Sequence, residues 1–297
     1  MKTMKKRTLL STITIALALV FLNVYVLLDA FVLTQSYVTV DPIEGNTTGN
    51  TTGEVLVTSS TYKDDNIEIS IEKVNENGVI YYVVDVQLSN ATYLRTAFAN
   101  NTFGRNINQL TSTMATNNDA ILAINGDFYG FRDSGLIIRN GVLYRDLARS
   151  SPDNQTLLID GLGNFSTITE GSISGDSLVA QGIIQSFSFG PVLVKDGVIQ
   201  SCTTNFVSSK ANPRTAIGMI EPLHYLWVVV DGRSSVSSGM TLKQLAQVFV
   251  DRGATIAYNL DGGGSSTLWF NGKIINNPVD GSSGGERKVS DIIYIGS

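Results

Sequence analysis

The chain has 297 residues, of which 43% are hydrophobic and 16% are charged, a composition that suits one sizeable globular domain with additional segments. The net charge is −5, and removing the four N-terminal bases and Asp29 leaves 17 basic and 25 acidic residues, a net charge of −8. An acidic body argues against general nucleic-acid binding, which needs a basic face.

The chain contains a single cysteine, Cys202, and a single histidine, His224. These counts exclude an intrachain disulfide, a thiolate metal site and a zinc site with several histidines. We expect Cys202 to be a buried apolar residue, and His224, which lies in the apolar run 223–230, to be structural. Catalysis would therefore use carboxylates, amides, arginines and main-chain N–H groups, and neither a metal nor another cofactor is expected.

The N-terminus has a basic segment, residues 1–7, before an uncharged apolar run over 8–28 that is long enough to cross a bilayer. Apolar residues resume after Asp29, and no small-x-small cleavage site follows. This pattern favours an uncleaved signal anchor over 8–33 rather than a cleaved signal peptide. The basic flank predicts a single-pass membrane protein with residues 1–7 in the cytoplasm and an extracellular body.

Residues 34–60 differ in composition from the segments on either side. They contain a near-repeat of small polar residues over 46–53, Asn-Thr-Thr-Gly-Asn-Thr-Thr-Gly. Such a composition is typical of a flexible linker. The sequence therefore predicts a tether over 34–60 that lifts a folded domain over 61–297 off the membrane.

The folded domain begins with two predicted strands, 67–71 and 79–88, joined by the hairpin pair Asn-Gly at 77–78. A helix is predicted over 108–117, before an apolar strand over 120–124. Glycines then punctuate a series of further short strands.

The clearest helix is predicted over 242–252. Thr241 and Gln244 form a capping box, and Gly253 is suited to end the helix. The helix leads into a strand over 254–260. The fold class is therefore α+β, a strand-dominated mixed sheet domain with a few helices, preceded by the transmembrane anchor.

The segment after that strand is the most informative in the chain. Asp261 is followed by three glycines, 262–264, and three hydroxyl residues, 265–267. Glycine triplets lose much backbone entropy on folding, so they are expected where a side chain would obstruct an approaching ligand. Exposed N–H groups in such a loop can form an anion-binding concavity, although a plain glycine turn is the alternative.

Four more polar clusters flank predicted strands, where sites are usually built. They are 125–129 (Asn-Gly-Asp-Phe-Tyr), 212–216 (Asn-Pro-Arg-Thr-Ala), 231–233 (Asp-Gly-Arg) and 284–290 (Gly-Gly-Glu-Arg-Lys-Val-Ser). Each cluster alone is a weak signal, because Asp-Gly at a strand end is commonly a turn. Together with the glycine loop they supply three aspartates and three arginines, which suit a site for a sugar bearing a phosphate.

At these residues the chain resembles the phosphodiester glycosidase family, from about residue 120 to the C-terminus. The matching stretches are 125–128, 212–218 (Asn-Pro-Arg-Thr-Ala-Ile-Gly), 231–233, 259–267 (Asn-Leu-Asp-Gly-Gly-Gly-Ser-Ser-Thr), 271–273 (Asn-Gly-Lys) and 286–290 (Glu-Arg-Lys-Val-Ser). The resemblance implies hydrolysis of a sugar 1-phosphodiester to free sugar and a phosphomonoester, on cell-surface or exopolysaccharide glycans. The expected partners are then the phosphorylated glycan substrate and, through the N-terminal anchor, the membrane.

Four residues are candidates for catalysis: Asp127, Asp261, Asp231 and Asn125. Asp127 and Asp261 are the favoured carboxylate pair, and their separation would decide which is base or nucleophile. The candidates for substrate binding are Arg214, Thr215, Arg233, Asn259, Gly262, Gly263, Gly264, Ser265, Ser266 and Arg287. Arg214 is the favoured phosphate clamp, because a guanidinium pairs bidentately with phosphate oxygens.

Simpler roles remain open for three of these residues. Asp231 is equally suited to a turn, Asn259 to satisfying backbone groups at the strand end, and Arg287 to a surface ion pair with Glu286. At the level of the whole protein, one alternative is a non-catalytic glycan-binding module. Another is a metal-dependent phosphodiesterase, which a single histidine disfavours. Retention of all three aspartates favours an enzyme.

Overall fold

The computed structural model describes residues 2–41, 55–151, 153–201, 209–281 and 284–296. Cys202 and the 46–53 repeat, with the predictions made for them, lie outside the described residues. Four α-helices occur in the described part: α1 Lys2–Phe31, α2 Thr111–Asn117, α3 Gly175–Ala180 and α4 Leu242–Val250. Short 3-10 turns occur at Ala91–Tyr93, Ala99–Asn101, Tyr129–Phe131 and Gly263–Ser265.

Strands dominate the described part of the chain. In chain order they are β1 Gln35–Thr39, β2 Leu56–Val57, β3 Thr61–Lys63, β4 Ile67–Glu76, β5 Val79–Leu88, β6 Leu94–Phe98, β7 Thr102–Arg105, β8 Gln109–Leu110, β9 Leu122–Asn125, β10 Ile137–Arg139, β11 Val142–Arg145, β12 Gln155–Asp160, β13 Phe165–Thr169, β14 Ile183–Phe187, β15 Val192–Lys195, β16 Val198–Ile199, β17 Arg214–Glu221, β18 His224–Val230, β19 Ile256–Asn259, β20 Leu268–Phe270, β21 Lys273–Ile274, β22 Lys288–Val289 and β23 Asp291–Ile295.

Two large antiparallel sheets form the centre of the domain. The first has nine strands in the order β16-β15-β19-β17-β18-β5-β4-β3-β2, and the second has five in the order β21-β20-β9-β23-β6. Side chains from both sheets meet in one core, for example Trp227 and Tyr258 from the first and Ile124 and Ile293 from the second. The three-stranded sheet β13-β12-β14 adds Phe187 and others to the same core.

A helix covers the far side of each large sheet. The buried apolar face of α4, which includes Leu245 and Phe249, packs on the nine-stranded sheet. Helix α2 packs on the five-stranded sheet. Burying the outer apolar face of each sheet in this way produces four layers around the central core. The predicted α+β class, with strands dominating, is confirmed.

Local signals in the sequence account for several elements. Asn77 and Gly78 both have positive φ, at 52° and 72°, as a two-residue hairpin turn requires. The α4 capping box forms as predicted, since Thr241 Oγ1 accepts from the Gln244 N–H and the Gln244 side chain accepts from the Thr241 N–H. His224 lies on β18, where its Nε2 is 3.0 Å from the Asp85 carboxylate.

The structure differs from the sequence-based prediction before the first helix of the domain. The helix predicted over 108–117 begins only at Thr111, because Gln109–Leu110 pairs with Lys288–Val289 as a short strand. The predicted flexible tether over 34–60 also includes ordered strands, since Gln35–Thr39 pairs with Thr102–Arg105 and Leu56–Val57 extends the large sheet. Main-chain pairing with the body outweighs the polar composition of these segments.

The N-terminal helix is a candidate membrane anchor or signal sequence. Its segment Thr12–Phe31 has 20 residues, a mean hydropathy of 2.2 and no burial against the rest of the protein. A helix of this length rises about 30 Å, which matches the hydrocarbon thickness of a bilayer.

Candidate active site

One cavity of about 450 Å³ lies where all three sequence-predicted arginines converge. Its charged lining consists of four arginines, Arg149, Arg214, Arg233 and Arg287, and two carboxylates, Asp153 and Asp261. Asn259, Gly262 and Gly263 also line it, whereas Asn125, Asp127, Thr215, Asp231, Gly264, Ser265 and Ser266 do not. Seven of the fourteen candidate residues are therefore brought together around one space.

The pairing of β17 with β19 places Arg214 beside the glycine loop. The strands are antiparallel with Ala216 opposite Asn259, so the beginning of β17 meets the chain that leaves β19. Two further main-chain bonds extend this contact, from Leu260 N–H to Thr215 O at 2.9 Å and from Gly263 N–H to Pro213 O at 2.9 Å. The loop is thus fixed against the strand that carries Arg214.

The glycines of the loop admit the protein's own side chains. A Cβ on Gly263, which has a φ of +66°, would lie 2.9 Å from Nη2 of Arg233, and a Cβ on Gly264 would lie 2.7 Å from Nη2 of Arg287. A Cβ on Gly262 would lie 2.9 Å from Pro213 O. The sequence predicts close approach at these positions, and in the structure the approaching groups include two guanidinium groups, the Asp280 carboxylate and the Pro213 carbonyl.

The main-chain N–H groups of the loop have internal partners. The Gly262 N–H donates to Asp261 Oδ1 at 2.9 Å, and the Ser265 N–H donates to Gly262 O at 3.3 Å. With the Gly263 bond to Pro213, three of the four N–H groups from Gly262 to Ser265 are engaged in hydrogen bonds within the protein. The arginines are therefore the main donors that the cavity offers to an anion.

Asp261 is held at the cavity wall by neutral donors. In addition to the Gly262 N–H, Ser265 Oγ donates to Asp261 Oδ2 at 2.6 Å. Burial raises the pKa of Asp261 above its ordinary value, and the two hydrogen bonds, with the charges of Arg287 and Arg132, only partly offset it. A carboxylate with a raised pKa is a stronger base than an exposed aspartate.

Asn125 joins the two large sheets directly behind Asp261. Its Nδ2 donates to the Asp261 carbonyl at 2.7 Å, and its Oδ1 accepts from Thr215 Oγ1 at 2.8 Å and from the Thr267 N–H at 3.3 Å. Asn125 is fully buried and lies at the end of β9. Its hydrogen bonds therefore connect the loop between β19 and β20 to both sheets. Asn125 and Thr215 therefore position the loop rather than line the cavity.

Asn259 and Ser266 carry buried polar atoms near the loop. Asn259 lines the cavity and donates from Nδ2 to Gly190 O at 2.8 Å, while its Oδ1 has no hydrogen-bond partner among the described residues. Ser266 is also buried, and its Oγ likewise lacks a partner there. An unsatisfied buried acceptor beside a cavity is a candidate contact for a ligand hydroxyl.

The arginines of the cavity differ in how they are held. Arg214 is mostly buried and donates from Nε to Met240 O at 3.0 Å and from Nη2 to Lys210 O at 2.8 Å. Burial, and then the positive charge of Arg233, lower the pKa of Arg214 to about 10. An anion in the cavity would oppose both effects, because it would stabilise the charged guanidinium.

Arg233 and Arg287 are more exposed than Arg214. Arg233 directs Nε and Nη2 towards Asn212 Oδ1, at 3.3 and 3.2 Å. Arg287 pairs through Nε with Asp280 Oδ1 at 2.8 Å, while Glu286 accepts from Ser112 instead. The surface pair considered from sequence, Glu286 with Arg287, is thus replaced by a pair with Asp280.

Asp127 lies outside the cavity in a buried ionic network. Its Oδ1 is 3.1 Å from Nη2 of Arg139, and its Oδ2 accepts from the Ser188 N–H at 2.8 Å. Arg139 also pairs with Asp291 at 2.8 Å. Burial opposes ionisation of Asp127, but Arg139 and the nearby Arg132 together hold its pKa below the ordinary value.

Asp231 is also placed away from the cavity. Its Oδ1 accepts from the Asn277 N–H at 2.9 Å and from Asn276 Nδ2 at 3.2 Å, which fixes the segment after β21 against the end of β18. Burial raises the pKa of Asp231, against the effect of these two donors. The contacts are those of a carboxylate that satisfies backbone and side-chain amides.

One wall of the cavity is formed by residues that the sequence analysis did not identify. Arg149 lines it and is held by Glu170, with Nε 2.8 Å from Oε1, and by Phe189 O, 2.8 Å from Nη1. Gly190 and Pro191, joined by a cis peptide bond, continue this wall. Gly-Pro signals a turn, but no local pattern connects an arginine with a glutamate 21 residues further along the chain.

Comparison with known proteins supports the resemblance found in the motifs. A model of the family "Phosphodiester glycosidase" matches residues 118–296. The SPbeta prophage-derived uncharacterized protein YomE of Bacillus subtilis is 34% identical over 200 residues, which is 65% of this chain. The match spans only 30% of the length of YomE.

Two solved structures share the fold. The catalytic domain of zebrafish N-acetylglucosamine-1-phosphodiester alpha-N-acetylglucosaminidase, auto-inhibited by its pro-peptide, superposes with a TM-score of 0.62 at 20% identity, over 90% of this chain and 97% of that domain. A hypothetical protein from Synechocystis superposes with a TM-score of 0.53 at 16% identity, over 78% of this chain and 62% of that one. The family match covers more than half of the sequence, and the chain belongs to the phosphodiester glycosidase family.

Proposed function

We propose that this protein hydrolyses a sugar 1-phosphodiester to the free sugar and a phosphomonoester, acting on cell-surface or exopolysaccharide glycans. Family membership and the shared fold support a glycosidase-type function. The single observation that carries the proposal is the cavity in which Asp261 lies among four arginines. Guanidinium groups suit phosphate oxygens, and a carboxylate beside them suits chemistry at the attached carbon.

In the proposed reaction, a water oxygen bonds to the anomeric carbon while the bond from that carbon to the phosphate oxygen breaks. The electron pair leaves with the phosphate, whose monoester has a second pKa near 6, so the leaving group needs little protonation. Asp261 either accepts the proton of the water or bonds to the carbon first and is then displaced by water. Its raised pKa suits both roles.

The phosphate would lie against Arg214, with Arg233 and Arg287 lining the same cavity next to the glycine loop. Arg214 is favoured because burial lowers its pKa to about 10, so an anion would gain most by pairing with it. The unpartnered Oδ1 of Asn259 would accept from a sugar hydroxyl. Asn125 and Thr215 would act by holding the Asp261 loop.

We further propose that the protein is a single-pass membrane protein with residues 1–7 inside and the catalytic domain outside. The apolar segment Thr12–Phe31 supports the anchor, and the basic flank supports the orientation. Protease added to intact cells should then reach the body but leave residues 1–31 protected. Full-length protein in the cytosol would contradict this placement.

The test of activity is incubation with a panel of sugar 1-phosphodiesters, with products separated and identified. We expect free sugar together with a phosphomonoester. Production of a sugar phosphate would instead indicate cleavage of the phosphorus–oxygen bond. Binding without turnover would support the alternative of a phosphoglycan-binding module. One observation bears on that alternative: Asp127 and Asp231 do not line the cavity, so among the described residues Asp153 is the only second carboxylate there for a reaction that usually uses a pair.

A further inference from the structure

The end of the N-terminal helix is bonded to the body of the protein. The last carbonyls of a helix have no partner within it. Here the body supplies donors: Nδ2 of Asn106 is 2.9 Å from Leu33 O and 3.4 Å from both Asp29 O and Ala30 O, and Nη2 of Arg105 is 3.3 Å from Ala30 O. Asn106 is itself buried.

The chain continues from this cap into a strand of the body. Gln35–Thr39 pairs antiparallel with Thr102–Arg105. The approach is close enough that a Cβ on Gly104 would lie 2.1 Å from Gln35 O, so this contact requires glycine at position 104. A Cβ at position 104 would also lie 2.7 Å from Cδ1 of Ile107, a side chain that can shift, whereas the Gln35 carbonyl belongs to the paired main chain.

An apolar contact completes the connection. The Val40 N–H donates to Asn101 O at 2.8 Å, and the Val40 side chain packs against the buried cluster that contains Phe98 and Phe103. Tyr37 contacts the Phe103 ring, with centroids 5.8 Å apart. A helix cap, a paired strand and a half-buried valine thus hold residues 29–41 on one surface of the domain.

We propose that residues 29–41, together with Phe98–Asn106, form a joint that fixes the anchor to the body and holds the domain at one height and orientation on the membrane. The attachment is then non-covalent as well as covalent, and it persists when the chain is cut between residues 42 and 54. Within the joint, Phe31 and Val32 are 75% and 61% exposed, and the proposal places them at the lipid interface. The proposal rests on the membrane placement above and not on the catalytic activity.

Cysteine cross-linking in isolated membranes tests the joint directly. In a Cys202→Ser background, Thr39→Cys is combined with Thr102→Cys, because these two residues are paired across the strands. The control combines Gln35→Cys with Thr102→Cys, positions that differ by three residues in register and are roughly 10 Å apart, beyond disulfide reach. We expect the first pair to cross-link nearly completely under mild oxidation and the second pair not at all. Equal cross-linking of both pairs, or of neither, would overturn the joint.

Site-specific proteolysis tests whether the joint alone can retain the body on the membrane. A protease recognition sequence is inserted between Gly49 and Asn50, and the membranes are sedimented after complete cleavage. We expect the cut body to remain in the pellet, and we expect Gly104→Ala to shift most of it to the supernatant, since the added Cβ opposes the strand. The Thr39→Cys/Thr102→Cys disulfide serves as the control for full retention.

Release of the wild-type body by the cut alone would overturn retention by the joint. Neither measurement uses turnover, so an inactive protein that is retained leaves the joint intact. An active body that is released contradicts only the joint and leaves the proposed reaction standing.

Discussion

Asp127 and Asp261 look alike in the sequence and differ in the structure. Each follows an apolar strand, and each ends an Asn-x-Asp triplet, Asn125-Gly126-Asp127 or Asn259-Leu260-Asp261. Asp127 is fully buried and paired with Arg139, whereas Asp261 lines the cavity and receives only an N–H and a hydroxyl. The difference lies in their partners and not in their local sequence.

The two sets of partners give the carboxylates opposite chemical properties. For Asp127, burial is outweighed by Arg139 and Arg132, and the pKa is lowered. For Asp261, burial outweighs the neutral donors, and the pKa is raised. A carboxylate that is paired with a buried cation is a weak base with no free approach, whereas one held by neutral donors at a cavity remains basic and accessible. We therefore propose a structural role for Asp127 and a chemical role for Asp261.

The largest effect is expected when the buried member of this pair is changed. Asp127→Asn removes the charge that faces Arg139 and puts an amide N–H₂ against one of the two donors, Arg139 Nη2 or the Ser188 N–H. Breaking one partner of a buried ion pair costs roughly 3–5 kcal/mol. We expect the free energy of unfolding, measured in urea, to fall by about this amount. Asp196→Asn, in the exposed turn between β15 and β16, is the matched control, because Asn-Gly suits that turn equally well.

The reverse outcome is expected for Asp261→Asn. The change is nearly isosteric but removes charge and basicity, so turnover should fall by at least about a hundredfold, the lower range for a positioned acid–base group. Because the pKa of Asp261 is raised by burial, its ionised form costs stability at neutral pH, and the melting temperature of the variant should be unchanged or slightly higher. Turnover and thermal unfolding are measured on the same preparation. A stable variant with near-wild-type turnover would remove Asp261 from catalysis.

Several elements of the fold are predictable because their causes are local. Asn77-Gly78 specifies the hairpin, and Thr241 with Gln244 specifies the start of α4. The glycines at 262–264 correctly indicate that something approaches the loop. Such signals depend on neighbours within a few residues, so the sequence alone is sufficient to find them.

The partners of the site residues are not predictable in this way. Arg139 is 12 residues from Asp127, Ser188 is 61 residues away, and Thr215 is 90 residues from Asn125. These contacts arise only when two sheets pack together, and no residue type or spacing specifies them. Arg149, which lines the cavity, was missed for the same reason.

Substitution of Arg214 tests whether this arginine binds the substrate phosphate in the cavity that Asp261 lines. Arg214→Lys keeps a charge but loses the planar fork, and its Nε no longer donates to Met240 O. The loss of one charged hydrogen bond is worth roughly 1.5–3 kcal/mol, or about one to two orders of magnitude in kcat/KM. Arg252→Lys, in an exposed pair with Glu72, is the matched control and should change little. Unchanged kinetics for Arg214→Lys on a phosphodiester would remove it from phosphate binding.

The smallest expected effect is on the pH dependence of activity, which reports the raised pKa of Asp261 and not the lowered pKa of Asp127. If Asp261 acts in its ionised form, activity is lost as pH falls through its folded-state pKa, which burial places above the ordinary value of about 3.9. We therefore expect the acidic limb of kcat/KM to have its midpoint above that value. Arg287 lowers the pKa of Asp261, so Arg287→Gln should move the midpoint to higher pH.

The shift should be modest, because Arg287 is 40% exposed, pairs with Asp280 and is screened by solvent. Repeating the profile in 0.5 M salt should shrink the difference between wild type and Arg287→Gln, since salt screens the same interaction. Arg252→Lys again serves as the control, with no change in midpoint. A midpoint that Arg287→Gln moves to lower pH would mean that the titrating group is not Asp261, because removal of a nearby positive charge can only favour the protonated carboxyl.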